Sequence, residues 1–127
     1  MISSMSDKTL LASFEFILES ISLVQSWFAQ ISQPDDYILT LQGKSHFDAT
    51  LMRLQAIGET LKKIEKHRPG LLKDYPGVNW HEIIRLRDII SHHYEQLSQE
   101  IIYYTCKTDL PELKAAIENI ITRLKEN

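Results

Sequence analysis

Residues 7–31 read DKTLLASFEFILESISLVQSWFAQI. Within this stretch Phe14, Ile17, Ile21, Val24, Phe28 and Ile31 recur at steps of three or four, the period of one helix face. Ser6 or Asp7 can cap its start, where an acidic side chain also meets the positive end of the helix dipole. Pro34, followed by Asp35 and Asp36, is expected to end it. The period continues down the chain. A second helix is expected from near Ser45 to about His67, with Phe47, Leu51, Leu54, Leu61 and Ile64 on one face, before Arg68-Pro69-Gly70 breaks it. Residues 71–79 contain Pro76-Gly77 and read as a loop. A third helix starts near Asn79 or Trp80 with Ile83, Leu86 and Ile90 inward, and Leu97, Ile101 and Tyr104 continue a helical spacing past a bend near Tyr94. The last begins at an N-capping Asp109, with Leu110 and Pro111 at its first two positions, and carries Leu110, Leu113, Ile117, Ile120 and Leu124. No segment sustains the period of two that a half-buried strand needs. The expectation is an all-α antiparallel bundle of four to five helices, forming one domain over residues 1–127.

Composition narrows the function classes. With 127 residues, 43% of them hydrophobic and 24% charged, the chain has the apolar mass for one core. A single cysteine, Cys106, excludes an internal disulfide, and no Cys/His cluster has the spacing of structural zinc. A reducing, cytoplasmic setting is the expectation. No apolar run approaches the roughly 20 residues of a membrane span. Residues 1–8 lack the basic and apolar regions of a secretory signal, so neither a membrane nor an export role is expected.

The net charge of −3 argues against indiscriminate binding of nucleic acid. Its distribution is uneven. Residues 53–87 carry eight basic and four acidic side chains, whereas residues 1–52 carry two and six and residues 88–127 carry four and seven. A basic segment inside an acidic protein suits a local polyanion site, although Lys62, Lys63, Lys66 and Arg68 also fit a plain solvated helix face. There is no GxGxxG, P-loop, HExxH or EF-hand pattern. His92 and His93 are adjacent, point to different sides of a helix and make a poor metal pair.

One run concentrates reactive groups: Arg85-Leu86-Arg87-Asp88-Ile89-Ile90-Ser91-His92-His93-Tyr94. Imidazole suits proton transfer near neutral pH, and guanidinium offers a fork of donors to phosphate oxygens. Cleavage of RNA by its own 2′-hydroxyl needs little more, and no metal is obligatory for it. Arg87 and Tyr94, seven residues apart, fall on nearly one face of a helix, but Arg87 and His92, five apart, diverge by about 140°. Either the helix breaks near Ser91, or the site is a broad cleft entered from its walls. A symmetric dimer would place two copies of the run around one cleft, and that is the preferred reading. On spacing alone, the run also fits a charged surface strip with one buried tyrosine.

The pattern Arg-x4-His-x-Tyr, as Arg87, His92 and Tyr94, resembles the signature of HEPN-domain toxins of the HepT type. Further elements agree in order: Ile57-Gly58-Glu59, then Tyr75-Pro76-Gly77-Val78-Asn79-Trp80, then Ile84 before Arg87, then Leu110-Pro111 with Leu113. The resemblance covers nearly the whole chain and is most specific over residues 52–113. Two positions depart from the family pattern: Asp88 stands where Asn is common, and His93 adds a second imidazole.

The resemblance implies an all-α, HEPN-like homodimer with the motif at the dimer cleft, cleaving an RNA substrate without metal or other cofactor. It implies Arg87 and His92 as catalytic residues, with Asp88, His93 and Glu59 binding substrate or supporting the cleft. It also implies a partner, a minimal nucleotidyltransferase antitoxin using ATP and magnesium, which neutralises the toxin by transferring AMP to Tyr94. The alternative is a non-catalytic helical subunit that docks the nucleotidyltransferase and helps bind its nucleotide or substrate. Gly58 is expected to serve close helix packing, and Trp80 to sit in the core.

Overall fold

The computed structural model describes residues 5–126; residues 1–4, half of the stretch read above as lacking an export signal, lie outside the described residues, as does residue 127. The described residues form five α-helices and no strand: α1 (Asp7–Phe28), α2 (Leu41–His67), α3 (Trp80–His92), α4 (Gln99–Tyr104) and α5 (Leu110–Glu126). The all-α expectation holds.

In α1 the Thr9 backbone N–H donates to Ser6 Oγ at 3.2 Å, which makes Ser6 the cap. Leu10, Phe14, Ile17, Ile21 and Val24 are completely buried. Each such side chain contributes about 1.5–3 kcal/mol relative to exposure, against about 1 kcal/mol for a cap. Packing of the apolar stripe therefore dominates the stability of α1. The helix stops at Phe28, ahead of Pro34, because the Gln30 and Ile31 N–H groups bond only three residues back, to Trp27 and Phe28. Pro34 instead opens a 3₁₀ turn, Pro34–Tyr37, into which Asp36 is locked by accepting from the Ser32 and Gln33 N–H groups.

The second helix begins at Leu41 and not near Ser45. Thr40 Oγ1 accepts from the Gly43 N–H at 2.9 Å and starts a turn whose Leu41 is 85% exposed. Apolar periodicity cannot register a first turn that buries no large apolar side chain. The expected end at His67 is found, and Gly70 follows with φ +90°, a left-handed conformation that costs glycine little. Residues 71–79 are a loop that also holds a 3₁₀ turn, Leu72–Asp74. Asn79 caps α3, and Trp80 is buried with its indole N–H donating to the Tyr75 carbonyl at 3.0 Å.

The inward residues of α4 are Ile102 and Tyr103, joined by Cys106 in the next turn; Ile101 and Tyr104 face solvent. The spacing from Leu97 fails because Leu97 is extended and Ser98 caps a new helix, so α4 does not inherit the phase of α3. Asp109 is not an N-cap. It lies in a π turn, Thr105–Asp109, that runs from α4 straight into α5. Pro111 has no N–H for the carbonyl four residues back, and the wider turn absorbs that loss without ending the rod. The α5 stripe is otherwise as expected, with Leu110, Leu113, Ile117 and Ile120 buried and Leu124 partly so.

Helix α2 packs on both α1 and α3, and α1 also packs on α5. Helix α3 thus lies at one side of the bundle, and the groove it shares with α2 reaches the surface.

Candidate functional site

The contact between α2 and α3 is unusually close at one point. A Cβ on Gly58 would lie 2.4 Å from Arg87 Cβ and 3.1 Å from Arg87 Cγ. Only a residue without a side chain lets the root of Arg87 pass there, so the expected packing role of Gly58 is found. The next residue, Glu59, then meets the guanidinium: Arg87 Nε donates to Glu59 Oε2 at 2.7 Å. Arg87 Nη1 donates to Asp88 Oδ1, also at 2.7 Å. Two carboxylates fix the orientation of this arginine, whose side chain is only 18% exposed.

Further bonds close the groove on the same side. Gln55 donates its amide to Ser91 Oγ at 2.8 Å, and the Tyr94 hydroxyl donates to Asp48 Oδ1 at 2.9 Å. Partners on α2 fall in number as those on α3 rise, so the helices run antiparallel. On α2 the participating residues Asp48, Gln55 and Glu59 are spaced by seven and four, which puts them on one helical stripe. That spacing was readable from the sequence, but without the partner helix nothing marked those polar positions as more than solvated surface.

The electrostatics follow from these bonds. Asp88 sits below its ordinary value of 3.8, chiefly because it accepts a hydrogen bond from Arg87, with further lowering by the charges of Lys62, Arg87 and His92. The guanidinium is held charged even more firmly than usual by its bonds to Asp88 and Glu59. Tyr94 is raised, first by its hydrogen bond to the Asp48 carboxylate, which keeps the phenol neutral and aimed.

Arg87, Asp88 and Glu59 are therefore brought into direct contact. His92 is exposed at the last position of α3, four residues after Asp88 and on the same side. Helix α3 does not break near Ser91 but runs through His92, and the bend expected near Tyr94 follows: His93 is the C-cap at φ −138°, with its N–H bonded to the Ile89 carbonyl at 2.8 Å, and Tyr94 begins a separate 3₁₀ turn. Tyr94 is 54% exposed, so the reading of a strip with one buried tyrosine is corrected. Arg87 and His92 both precede the bend and remain about 140° apart around α3. The bend re-aims Tyr94 and leaves that divergence in place. Among the described residues no hydrogen bond joins the His93 imidazole to the Arg87 cluster, and no group of three His, Cys, Asp or Glu side chains could hold a metal ion. No helix among them is long and apolar enough to cross a membrane.

Chemically, the groove offers an oriented guanidinium, with an exposed imidazole on another face of α3 and an exposed phenol just past its end. Guanidinium has five N–H donors; Nε is directed to Glu59 and one Nη1 hydrogen to Asp88, while Nη2 also lies against Glu59. Donors remain for the oxygens of an incoming anion.

Residues 17–120 match the family model described as "Ribonuclease HepT-like". A Thermococcus cleftensis protein named "Probable ribonuclease HepT" is 30% identical over 106 residues, covering 84% of this chain and 90% of its own. A Methanocaldococcus jannaschii protein named "Putative RNase" is 32% identical over 91 residues, covering 72% of this chain and 76% of its own. No solved structure matches the chain.

Proposed function

This chain belongs to the HepT-like ribonuclease family, and from that membership we propose that it is a metal-independent endoribonuclease acting at the α2–α3 groove. The observation that carries the reading is the arginine clamp. Arg87 is fixed by Glu59 and Asp88 with N–H donors left over, and the same helix ends five residues on at an exposed histidine. In this reading Arg87 binds the scissile phosphate and offsets the charge that builds on it in the transition state. His92 moves the proton, either from the attacking 2′-hydroxyl or to the leaving 5′-oxygen. The products are a 2′,3′-cyclic phosphate and a 5′-hydroxyl. DNA, lacking the nucleophile, is not cut.

The roughly 140° between Arg87 and His92 supports a homodimer as the working unit, with two copies lining one cleft. Met52 on α2 and Tyr94 lie on the groove side and are 71% and 54% exposed, which suits burial against a second copy. Tyr94 is the residue on which a nucleotidyltransferase antitoxin would place AMP. Its phenol is accessible and held by Asp48, and the added phosphate would bring bulk and negative charge to the site where RNA phosphate must bind. His93 supports the cleft from the helix end, and the compartment is the cytoplasm.

The test is incubation of the unmodified protein with mixed tRNA and mRNA in EDTA, beside His92→Ala. Cleavage by the parent alone, leaving cyclic-phosphate ends, is the expected result. Cutting of DNA by the same preparation would refute the mechanism. One observation favours a second reading, a non-catalytic subunit that docks the nucleotidyltransferase: Arg87 already has two carboxylate partners. Intact RNA in both reactions, with the parent's mass showing no AMP on Tyr94, would select it.

A further inference from the structure

The charges at the clamp pose a problem for the proposed reaction. Arg87 is matched by Glu59 and Asp88, so the cluster carries one net negative charge, and Asp48 stands further along the same groove. A polyanion needs a cation there that is not already committed. Lys62 meets that need. Among the described residues no ion pair involves Lys62, and its charge is felt by Asp88 across the groove.

Position on α2 sets it apart: Lys66 shares the face turned to α3 but stands about 10.5 Å from the level of Glu59, against about 4.5 Å for Lys62. At 100° per residue, Gln55, Gly58 and Lys62 fall within about 60° of one another. Gln55 touches Ser91 and Gly58 touches Arg87, so this arc is the one turned to α3. Lys63 lies about 100° round from Lys62 and about 40° beyond Glu59, at the rim of the groove. Order along the groove is fixed as well. Glu59 is level with Arg87. Because the helices are antiparallel, Lys62 stands about 4.5 Å to one side of that level and His92 about 7.5 Å to the other. A nucleic-acid backbone lying in the groove therefore meets Lys62 next to Arg87.

We propose that Lys62 anchors the RNA backbone by binding the phosphate next to the one that Arg87 and His92 act on. The inference rests on the ribonuclease reading. Lys62 is a positioning contact: it fixes where the strand lies and takes no part in bond breaking.

The experiment measures binding of a 2′-O-methyl RNA oligonucleotide, which lacks the free nucleophile, over a range of salt concentrations. Parent, Lys62→Gln, Lys62→Arg and Lys63→Gln are compared, with cleavage of ordinary RNA by the parent run in parallel. Lys62 is exposed and glutamine is as good a helix former, so folding is retained. Expected is a several-fold weaker affinity for Lys62→Gln at low salt and a slope of log affinity against log salt reduced by about 0.7, one phosphate contact on a single strand. Lys62→Arg keeps the parental slope, Lys63→Gln loses clearly less than Lys62→Gln, and single-turnover cleavage at saturating protein is nearly unaffected by Lys62→Gln. An unaltered slope in Lys62→Gln, or an equal loss in Lys63→Gln, overturns the proposal while leaving the parent's cleavage standing. A parent that neither binds nor cuts RNA removes the ribonuclease reading itself, and this inference with it.

Discussion

Gly58→Ala is the sharpest perturbation the structure offers, because two large effects oppose each other. Alanine in a helix interior is favoured over glycine by about 0.8–1 kcal/mol. Against this, the new methyl would stand 2.4 Å from Arg87 Cβ and 3.3 Å from the Ile83 carbonyl oxygen. Contact at 2.4 Å falls more than 1 Å short of the roughly 3.5–4.0 Å optimum between carbons. Neither obstacle is the far end of a flexible side chain, so rotamer changes cannot clear the space and α2 and α3 must separate. Overpacking of this kind costs about 1–3 kcal/mol. The net expectation is a loss of about 0–2 kcal/mol, since helix propensity offsets part of the strain. Activity should suffer far more. Displacing Arg87 by about 1 Å is enough for a loss on the order of 100-fold. Urea unfolding followed by far-UV circular dichroism, beside RNA cleavage rates, reads both quantities. Gly77→Ala is the internal control, because nothing lies within 4 Å of a Cβ there and its φ is not positive. That variant should keep parental activity. A Gly58→Ala protein more stable than the parent and fully active would refute the close-approach argument.

Four further outcomes follow, three from the clamp and one from the Tyr94–Asp48 bond. Asp88→Asn removes one of the two carboxylates beside Arg87 while Glu59 still orients it; RNA should bind several-fold more tightly at low salt, and an affinity equal to or below the parent's would contradict the charge argument. The Arg87–Asp88 pair also sets a pH dependence. Because the folded-state value of Asp88 is lowered by Arg87, its stabilisation is complete above the ordinary 3.8 and is lost as pH falls below that through the lowered value. The melting-temperature gap between parent and Asp88→Asn should therefore be constant near neutrality and close on acidification, and a gap that widens in acid would be inconsistent with the pair. Glu59→Gln weakens the hold on Arg87 Nε and should reduce cleavage at saturating RNA with little change in melting temperature, since Glu59 is 42% exposed; unchanged turnover would remove Glu59 from the positioning of Arg87. Tyr94→Phe deletes only the bond to Asp48 and should retain cleavage while refusing AMP from a nucleotidyltransferase, read by intact mass; AMP found on the Phe variant would place the modification elsewhere.

Much of this was open to reading before any coordinate. Apolar steps of three and four located the buried faces of α1, α2, α3 and α5, because burying one stripe per helix is what stabilises such a bundle and the stripe is written directly in residue type. Ser6, Asn79 and the Arg68-Pro69-Gly70 break were legible for the same reason: each acts on backbone groups within a few residues of itself. Errors arose where local signals lost to a neighbour's geometry. Thr40 starts a helix whose first turn buries no large apolar side chain, Ser98 restarts α4 in a new phase, and a π turn carries the chain through Asp109 into α5.

The site divides in the same way. Arg87, His92 and Tyr94 are visible as a motif because their chemistry and spacing lie within one short segment. The pairings Glu59–Arg87 and Gln55–Ser91 join residues from two helices, and only the register of α2 against α3 decides them; Asp48–Tyr94 depends also on the turn that follows α3. That register turns on Gly58, where two helices come close enough that a single methyl group would push them apart. Composition and periodicity say which face of a helix is buried, because hydrophobicity belongs to each residue. Which carboxylate meets which guanidinium belongs to the distance between helices, and only the folded chain sets that distance.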